Sequence, residues 1–527
     1  MDPVTLSVLD NALAGVAEEM SAALIRTAYS PNIKERRDCS SAVFDEQGQL
    51  VAQAENIPVH LGAMPFSVQA AVAHFAEWAP GDVAVLNDPY AGGAHLPDIT
   101  FVAPVFHEGR LLAFVAARAH HADVGGMTPG SLPATATEIL QEGLIIPPVK
   151  LWRAGILNEE LMSILLANVR TPCERKGDLR AQLAAVNTGL RRMQEVVRRH
   201  GEQQVRKGFR ELMEQAERRM RSALAKLPRG EWRYADSLDE KQRVEVRVQM
   251  AAQEITVDFT GSSPQVRSPV NAPLAVTASA TYYSLRSALD PALPPNAGAW
   301  RPVNLIAPHG SIVHARHPAP VGGGNLELSQ RIVDVVLGAV AQALPDRVPA
   351  ASQGTMNNLT IGGTGPRTGE AYTFYETLGG GGGARPDRPG ISGVHSHMTN
   401  TLNTPVEALE SAYPLQVERY ELRRGSGGRG RFPGGEGLRR DIRVLGHTAT
   451  VSLLADRRRG QPYGLAGGEP GKPGEDKLLR EGSPPQALPA KGTVQVPPGG
   501  VVSLRTPGGG GYGPPDEAQG VERAETR

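Results

Sequence analysis

The sequence predicts an α+β (mixed α/β) fold. It should be a large multi-layer structure with an N-terminal helix, a histidine-bearing β-hairpin, long central helices and a glycine-rich, β-rich C-terminal half. Three observations carry this. Apolar residues recur at helical spacing in several separate blocks. Residues 99–118 read as two apolar strands around a His107–Arg110 turn. Glycine is uneven: 17 of 60 lie in residues 1–250 and 43 in residues 251–527. Glycine and proline together take about a fifth of the 527 residues, against roughly 12% ordinarily. No Gly-X-Y period exists, so this is not collagen. Apolar residues make up 40% and fall in periodic blocks, so it is not disorder either.

Asp2-Pro3 is a helix start. Leu6, Leu9, Leu13, Val16, Met20 and Leu24 then mark an amphipathic helix ending near Tyr29. Residues 40–51 give a strand, a Gly turn and a strand. Pro65 opens a second helix through Trp78, closed by Pro80-Gly81. Val83–Leu86 is a buried strand that runs into the loop Asn87–Asp98. Ile99–Phe106 and Leu111–Arg118 form the hairpin. Residues 159–168 and 178–226 read as helices, 243–260 as two strands, and Ser329–Leu344 as another apolar helix. The chain is read as one domain over 1–513. Its candidate metal-bearing part is about 30–150 and its glycine-rich part about 251–513. Residues 514–527 form a polar tail.

The formal charge is zero, which argues against a nucleic-acid partner. Arg191, Arg192, Arg198 and Arg199 fit a solvated helix face. Cys39 and Cys173 are the only cysteines, so no disulfide framework or cysteine zinc site exists. Both thiols are expected to be buried or inert. No signal peptide and no run of 18 apolar residues is read, so no membrane span is expected and the compartment should be the cytoplasm.

Six of the 13 histidines lie between His60 and His121. A turn centred on 107–110 makes opposing hairpin residues sum to about 217, so Asp98 faces Ala119 and His120 is its neighbour. His95, three residues earlier, can curl back to the same spot. Two imidazoles and a carboxylate then converge, a set that suits a divalent metal: Zn, Mn, Fe or Co. A lone histidine in such a region is more often a hydrogen-bonded core or surface residue; the convergence raises the metal reading. His121 and Asp123 fit behind the cluster, where a carboxylate orients a ligand imidazole. Strand alternation points His121 away from His120. Asp38 is a further carboxylate that nothing local places nearby.

Gly379–Gly383 and VGGGN (321–325) could form anion nests, but tight turns are the plainer reading. No GxxxxGK[ST] and no dinucleotide pattern occur. His395–Glu410 gathers polar side chains before a helix N-capped by Thr404, with Pro405 at its first position. They line a substrate pocket or cap the helix. His397, with Asn325 and Gln330, is the candidate substrate-binding set. No GxSxG is present.

The chain resembles the hydantoinase B/oxoprolinase family. The motifs are IPVHLGAMP (57–65), NDPYAGGAHLPDIT (87–100), ARAHHADVGG (117–126), EILQEGLIIPPVKL (138–151), GDLRAQLAA (177–185), GNLELSQRIVD (324–334), SQGTMNNLT (352–360), HMTNTLNTPVEALE (397–410) and the glycine-rich segment 426–437. The resemblance implies a metal held by His95, Asp98 and His120, with Asp38 matched less closely to an N-terminal aspartate. Ala94 stands where many relatives have Thr. It also implies a hetero-oligomer with a hydantoinase A-type ATPase subunit of actin-like fold, which binds ATP and Mg in place of this chain. The partner would phosphorylate the carbonyl oxygen of a small cyclic amide. This chain would then open the hydantoin or 5-oxoproline ring, in the manner of an N-methylhydantoinase or 5-oxoprolinase. The alternatives are a subunit of an acetone- or acetophenone-type ketone carboxylase, and a mainly structural subunit.

Overall fold

The N-terminal helix forms where the apolar stripe places it. In a computed structural model, which describes residues 1–54 and 56–515, α1 spans Pro3–Thr27 and the Asp2 carboxylate accepts from the Thr5 amide. Leu9, Leu13, Val16, Met20 and Leu24 are buried; Leu6 is only partly so. A short turn, α2 (Pro31–Lys34), leads to β1 (Cys39–Asp45) and β2 (Leu50–Gln53).

The next helix departs from expectation. α3 runs Pro58–His74, so Pro65 lies inside it and the helix stops short of Trp78. Pro58 takes the first-turn position, where its missing amide costs nothing. The cost of an internal proline is met by packing against a later helix. The Gly62 amide donates to the Ser279 hydroxyl, which also bonds the carbonyls of Pro58 and Val59.

Strands β3 (Val83–Leu86), β4 (Asp98–His107), β5 (Arg110–His120), β6 (Val149–Arg153) and β7 (Ile156–Leu157) complete a seven-stranded sheet in the order β2-β1-β5-β4-β3-β6-β7. Alternation sorts its side chains. Ala42, Phe44, Val102, Phe114 and Ala116 pack on Met64, Val68 and Ala71 of α3. Val43, Phe101, Val115 and Ala117 pack on α1 and on Leu179 and Val186 of a second long helix.

After α4 (Glu159–Ala167), the expected single helix over 178–226 is two: α5 (Pro172–His200) and α6 (Glu202–Ala225). Gly201 separates them at φ 81° and ψ 144°, a backbone region open only to glycine. Cys173 is exposed in the first turn of α5; Cys39 is buried, which pushes its thiol well up.

The segment before 243 adds a strand the sequence reading passed over. β8 (Gly230–Ser237), β9 (Arg243–Met250), β10 (Ile255–Asp258) and, beyond α7 (Leu274–Leu289) and α8 (Ala297–Trp300), β11 (Val303–Ile306) form a four-stranded sheet. α9 (Ser329–Ala343) lies on β8 and β9, preceded by a five-residue π-helical turn, Gly324–Leu328.

The C-terminal half has two sheets sharing one core. Strands β12 (Asn358–Thr364) and β13 (Ala371–Glu376) open the first. α10 (Val406–Ala412) precedes β14 (Leu415–Arg423), β15 (Gly437–Val444), β16 (Ala449–Leu454), β17 (Glu475–Arg480), β18 (Ser483–Ala487), β19 (Lys491–Val496) and β20 (Val501–Arg505). The orders are β13-β12-β16-β19 and β14-β15-β20-β17-β18. At α10 the cap position falls to Pro405, one residue later than expected, and Thr404 makes no side-chain cap; its amide donates to the Glu376 carboxylate.

Beside the start of β15 and the end of β20, glycine segments pack backbone to backbone. The Gly428 amide bonds Gly509 O, Gly509 bonds Gly435 O, Gly435 bonds Gly382 O and Gly382 bonds Ile391 O. A Cβ on Gly381, Gly434 or Gly509 would lie 2.0–2.1 Å from neighbouring main chain. Among the described residues no helix is long and apolar enough to cross a membrane. The polar tail lies outside the described residues from 516 on.

Candidate metal centre

The hairpin brings the predicted residues together through a register the sequence arithmetic missed by one. His107 faces Arg110, but an irregularity between Val105 and Phe106 shifts the pairing, and Asp98 faces His120 rather than Ala119. A bulge adds one residue to one strand and so moves every later pair. Both side chains then lie on the sheet face that α3 covers.

His95, Asp98 and His120 are buried, and one ligand atom from each lies within 4.8 Å of the others. His95 Nδ1 is 2.9 Å from Asp98 Oδ2, and His120 Nδ1 is 3.4 Å from Asp98 Oδ1. These are close approaches without hydrogen-bond alignment. His95 Nδ1, both Asp98 oxygens and His120 Nε2 have no hydrogen-bond partner among the described residues. Burying such atoms unpaired is costly, so the donor set fits a divalent cation. Burial lowers the pKa of His95 against the pull of Asp98. Burial also opposes ionisation of Asp98, yet His95 and His60 hold its carboxyl well below the usual range. Burial thus favours the neutral imidazole of His95, and the neighbouring histidines favour the carboxylate form of Asp98, the states a metal ligand needs.

Four side chains that the sequence reading did not choose complete the site. His60 on α3 puts Nε2 3.3 Å from Asp98 Oδ1, with Ser40 Oγ 3.2 Å from its Nδ1. Its motif, IPVHLGAMP, was visible, but only the packing of α3 over the sheet brings it here. Arg118, two residues before His120 on the same face, is fully buried and donates to Thr100 and Ser67 hydroxyls. Tyr375 on β13 stacks on His120 at 4.4 Å and 11°. Arg36 lies 5.0 Å from the same tyrosine ring. It donates to Asn32, to the carbonyls of Tyr375 and Leu402, and to the hydroxyls of Thr377 and Thr401. Nothing local signals that a buried arginine reaches across 340 residues.

Two assignments need correction. His121 and Asp123 do not orient a cluster imidazole. His121 points to the opposite sheet face and meets Gln182 of α5 at 2.8 Å, and burial lowers its pKa to about 4. Asp123 accepts from the amides of Gly125, Gly130 and Arg170 and from the Arg170 guanidinium, closing a loop. Asp38, matched less closely to the site by the resemblance, stands at the edge of the cluster, beside the histidine that meets Asp98. Its Oδ1 lies 4.0 Å from His60 Nε2, and its carbonyl accepts from the His120 amide. Asn325, in the π-turn, sets Nδ2 3.5 Å from His95 Nε2. Gln330 donates to the Ser396 carbonyl, and His397 lines a cleft. Asn325 Oδ1, Gln330 Oε1 and His397 Nε2 are buried without a partner.

The chain is similar to known proteins. The family model described as hydantoinase B/oxoprolinase matches residues 2–515. An uncharacterised protein of Methanocaldococcus jannaschii is 42% identical over 98% of this chain and 92% of its own length. The 5-oxoprolinase of Dictyostelium discoideum is 38% identical over 98% of this chain, which spans 41% of that relative. The crystal structure of an ATP-dependent caprolactamase from Pseudomonas jessenii superposes with a TM-score of 0.93 at 30% identity, over all of this chain and 94% of that one.

Proposed function

The chain belongs to the hydantoinase B/oxoprolinase family, and from that premise we propose that it is the metal-dependent catalytic subunit of an ATP-dependent cyclic amidase. Its ring substrate is a hydantoin, 5-oxoproline or a related lactam. A cytoplasmic ATPase partner binds ATP and Mg and phosphorylates the unreactive amide carbonyl. The observation that carries the reading is the buried convergence of His95, Asp98 and His120 with unpaired donor atoms. The 5-oxoprolinase and caprolactamase likenesses support the reaction class.

His95, Asp98 and His120 would hold the cation. The chemistry such a cation would supply there is a water of lowered pKa and electrostatic stabilisation of negative charge on the ring carbonyl. The chain's own groups do the rest. His60 fixes the Asp98 carboxylate from the α3 side while Ser40 holds its other nitrogen. The Tyr375 ring sets the plane of His120. Asn325, Gln330 and His397 offer unpaired polar atoms to the ring's N–H and C=O. The enclosed site excludes bulk water from an activated ring.

The test uses the metal-loaded chain with its ATPase partner and ATP. 5-Oxoproline, hydantoins and caprolactam are offered, and acetophenone with bicarbonate in a parallel arm. Ring opening coupled to ATP is expected. His95→Ala should lose the bound metal and turnover by at least about a hundredfold, with unchanged circular dichroism. Full metal content and full turnover in that variant would refute the metal-centred reading. Carboxylation of acetophenone without ring opening would move the chain to the ketone-carboxylase alternative.

A further inference from the structure

Among the described residues the chain has a single π-helical turn, Gly324–Leu328. Such turns are rare and are frequent at functional sites. Its start has no room to shift. A Cβ on Gly324 would lie 1.8 Å from Asn271 O, and the Gly324 amide donates to Pro269 O. Two side chains leave the turn toward different partners. Asn325 sets Nδ2 3.5 Å from His95 Nε2. Glu327, fully buried, accepts at Oε1 from the Met356 amide at 3.1 Å and from Asn358 Nδ2 at 2.9 Å.

Asn358 carries the contact onward. It opens β12, and Tyr375 pairs with Thr360, two residues further along that strand. Side chains two apart share a sheet face, so the amide of Asn358 stands diagonally across from the phenol. Its Oδ1 accepts from Tyr375 Oη at 3.1 Å. Both hydrogens on Nδ2 are already taken, by Glu327 and by Leu454 O at 2.9 Å. Turned over, the amide would set its oxygen against two acceptors. The phenol therefore has to donate, and its ring is held in one plane. That ring lies on His120 at 4.4 Å and 11°. Glu327 thus reaches His120 through two side chains, all of them buried.

We propose that Glu327 and Asn358 are positioning residues, which hold Tyr375 flat on His120 and so set the plane of that imidazole. Asn325 of the same turn meets His95, so one rigid turn governs both histidines of the cluster. The effect on a bound cation rests on the metal-centre reading; the packing of the ring does not.

The metal-free full chain, with isotope-labelled histidine, tests the positioning by nuclear magnetic resonance. The stacked phenol shifts the His120 ring-proton resonance, which is assigned by its loss in His120→Gln. Glu327→Ala and Tyr375→Phe should each move it. The double variant should move it no further than Tyr375→Phe alone, because both cut one chain. Glu327→Gln keeps an acceptor oxygen and should keep the wild-type resonance. Cobalt titration of the same chains reads the consequence. Glu327→Ala should bind the ion about tenfold more weakly, with a changed visible spectrum, and Glu327→Gln should match wild type. A carboxylate that only braces the fold would lower the thermal midpoint and leave the resonance in place, which would overturn the proposal; additive shifts in the double variant would do the same. If Glu327→Ala does not fold, Tyr375→Phe, which removes one oxygen, decides: an unmoved resonance there overturns the proposal. A wild-type chain that binds no cobalt would sink the metal reading alone, since the positioning stands or falls with the resonance.

Discussion

Arg36 shows what a single side chain does here. It is fully buried, and its ordered contacts are neutral oxygens from two distant segments and from nearby Asn32, together with the Tyr375 ring. A buried cation survives only where its donors are met. Arg36→Met should therefore cost about 3 kcal/mol, read from the urea midpoint of unfolding by circular dichroism; a change under about 1 kcal/mol would show that the contacts are incidental. The same scale shows the limit of sequence reasoning. His95, Asp98 and His120 were legible from spacing, because a hairpin is a local object. His60, Arg36 and Tyr375 were not, because each arrives from another element. His121 and Asp123 were misassigned because adjacency in sequence is not adjacency across a sheet. His121 faces α5 while His120 faces α3.

Elements were read well where periodicity was long and poorly where one residue decides. The N-terminal helix and the hairpin strands stand within two residues of their expected ends. Pro65 and Gly201 misled in opposite senses. Packing against α7 carries a helix through the first, and a glycine-only backbone breaks one at the second. The loop 321–324 gives a prediction at this scale. Glu142, buried, accepts from the amides of Val321 and Gly322 just before the π-turn. Burial pushes its carboxyl up to about 8 from 4.5, against those two amides. The folded chain then holds a proton that the unfolded chain has lost. Stability should be full below the unfolded value and fall as pH rises toward about 8. Glu142→Gln should flatten the fall in thermal midpoint across that window. An unchanged slope would assign it to other groups, such as buried Glu327, raised to about 7.

For the whole molecule, the glycine surplus is the feature that composition announced and only the structure explained. The sequence allowed either nests or tight turns; what forms is a stack of main chain from three loop segments beside the ends of β15 and β20. Gly509→Ala would set a Cβ 2.1 Å from Gly382 O, and should destabilise by more than about 3 kcal/mol or abolish soluble expression. Gly15→Ala, in α1 with nothing within 4 Å of the added carbon, should stabilise by up to about 1 kcal/mol. Equal thermal midpoints for the two variants would mean that the stack yields easily.

That stack also has a genetic consequence. Every missense change from a glycine codon adds a β-carbon, so none of them is conservative where main chains touch. A mutational scan should find the intolerant positions of the C-terminal half in residues with no side chain at all. Ranking them by hydropathy or charge would miss them; ranking them by the distance to the next backbone atom would not.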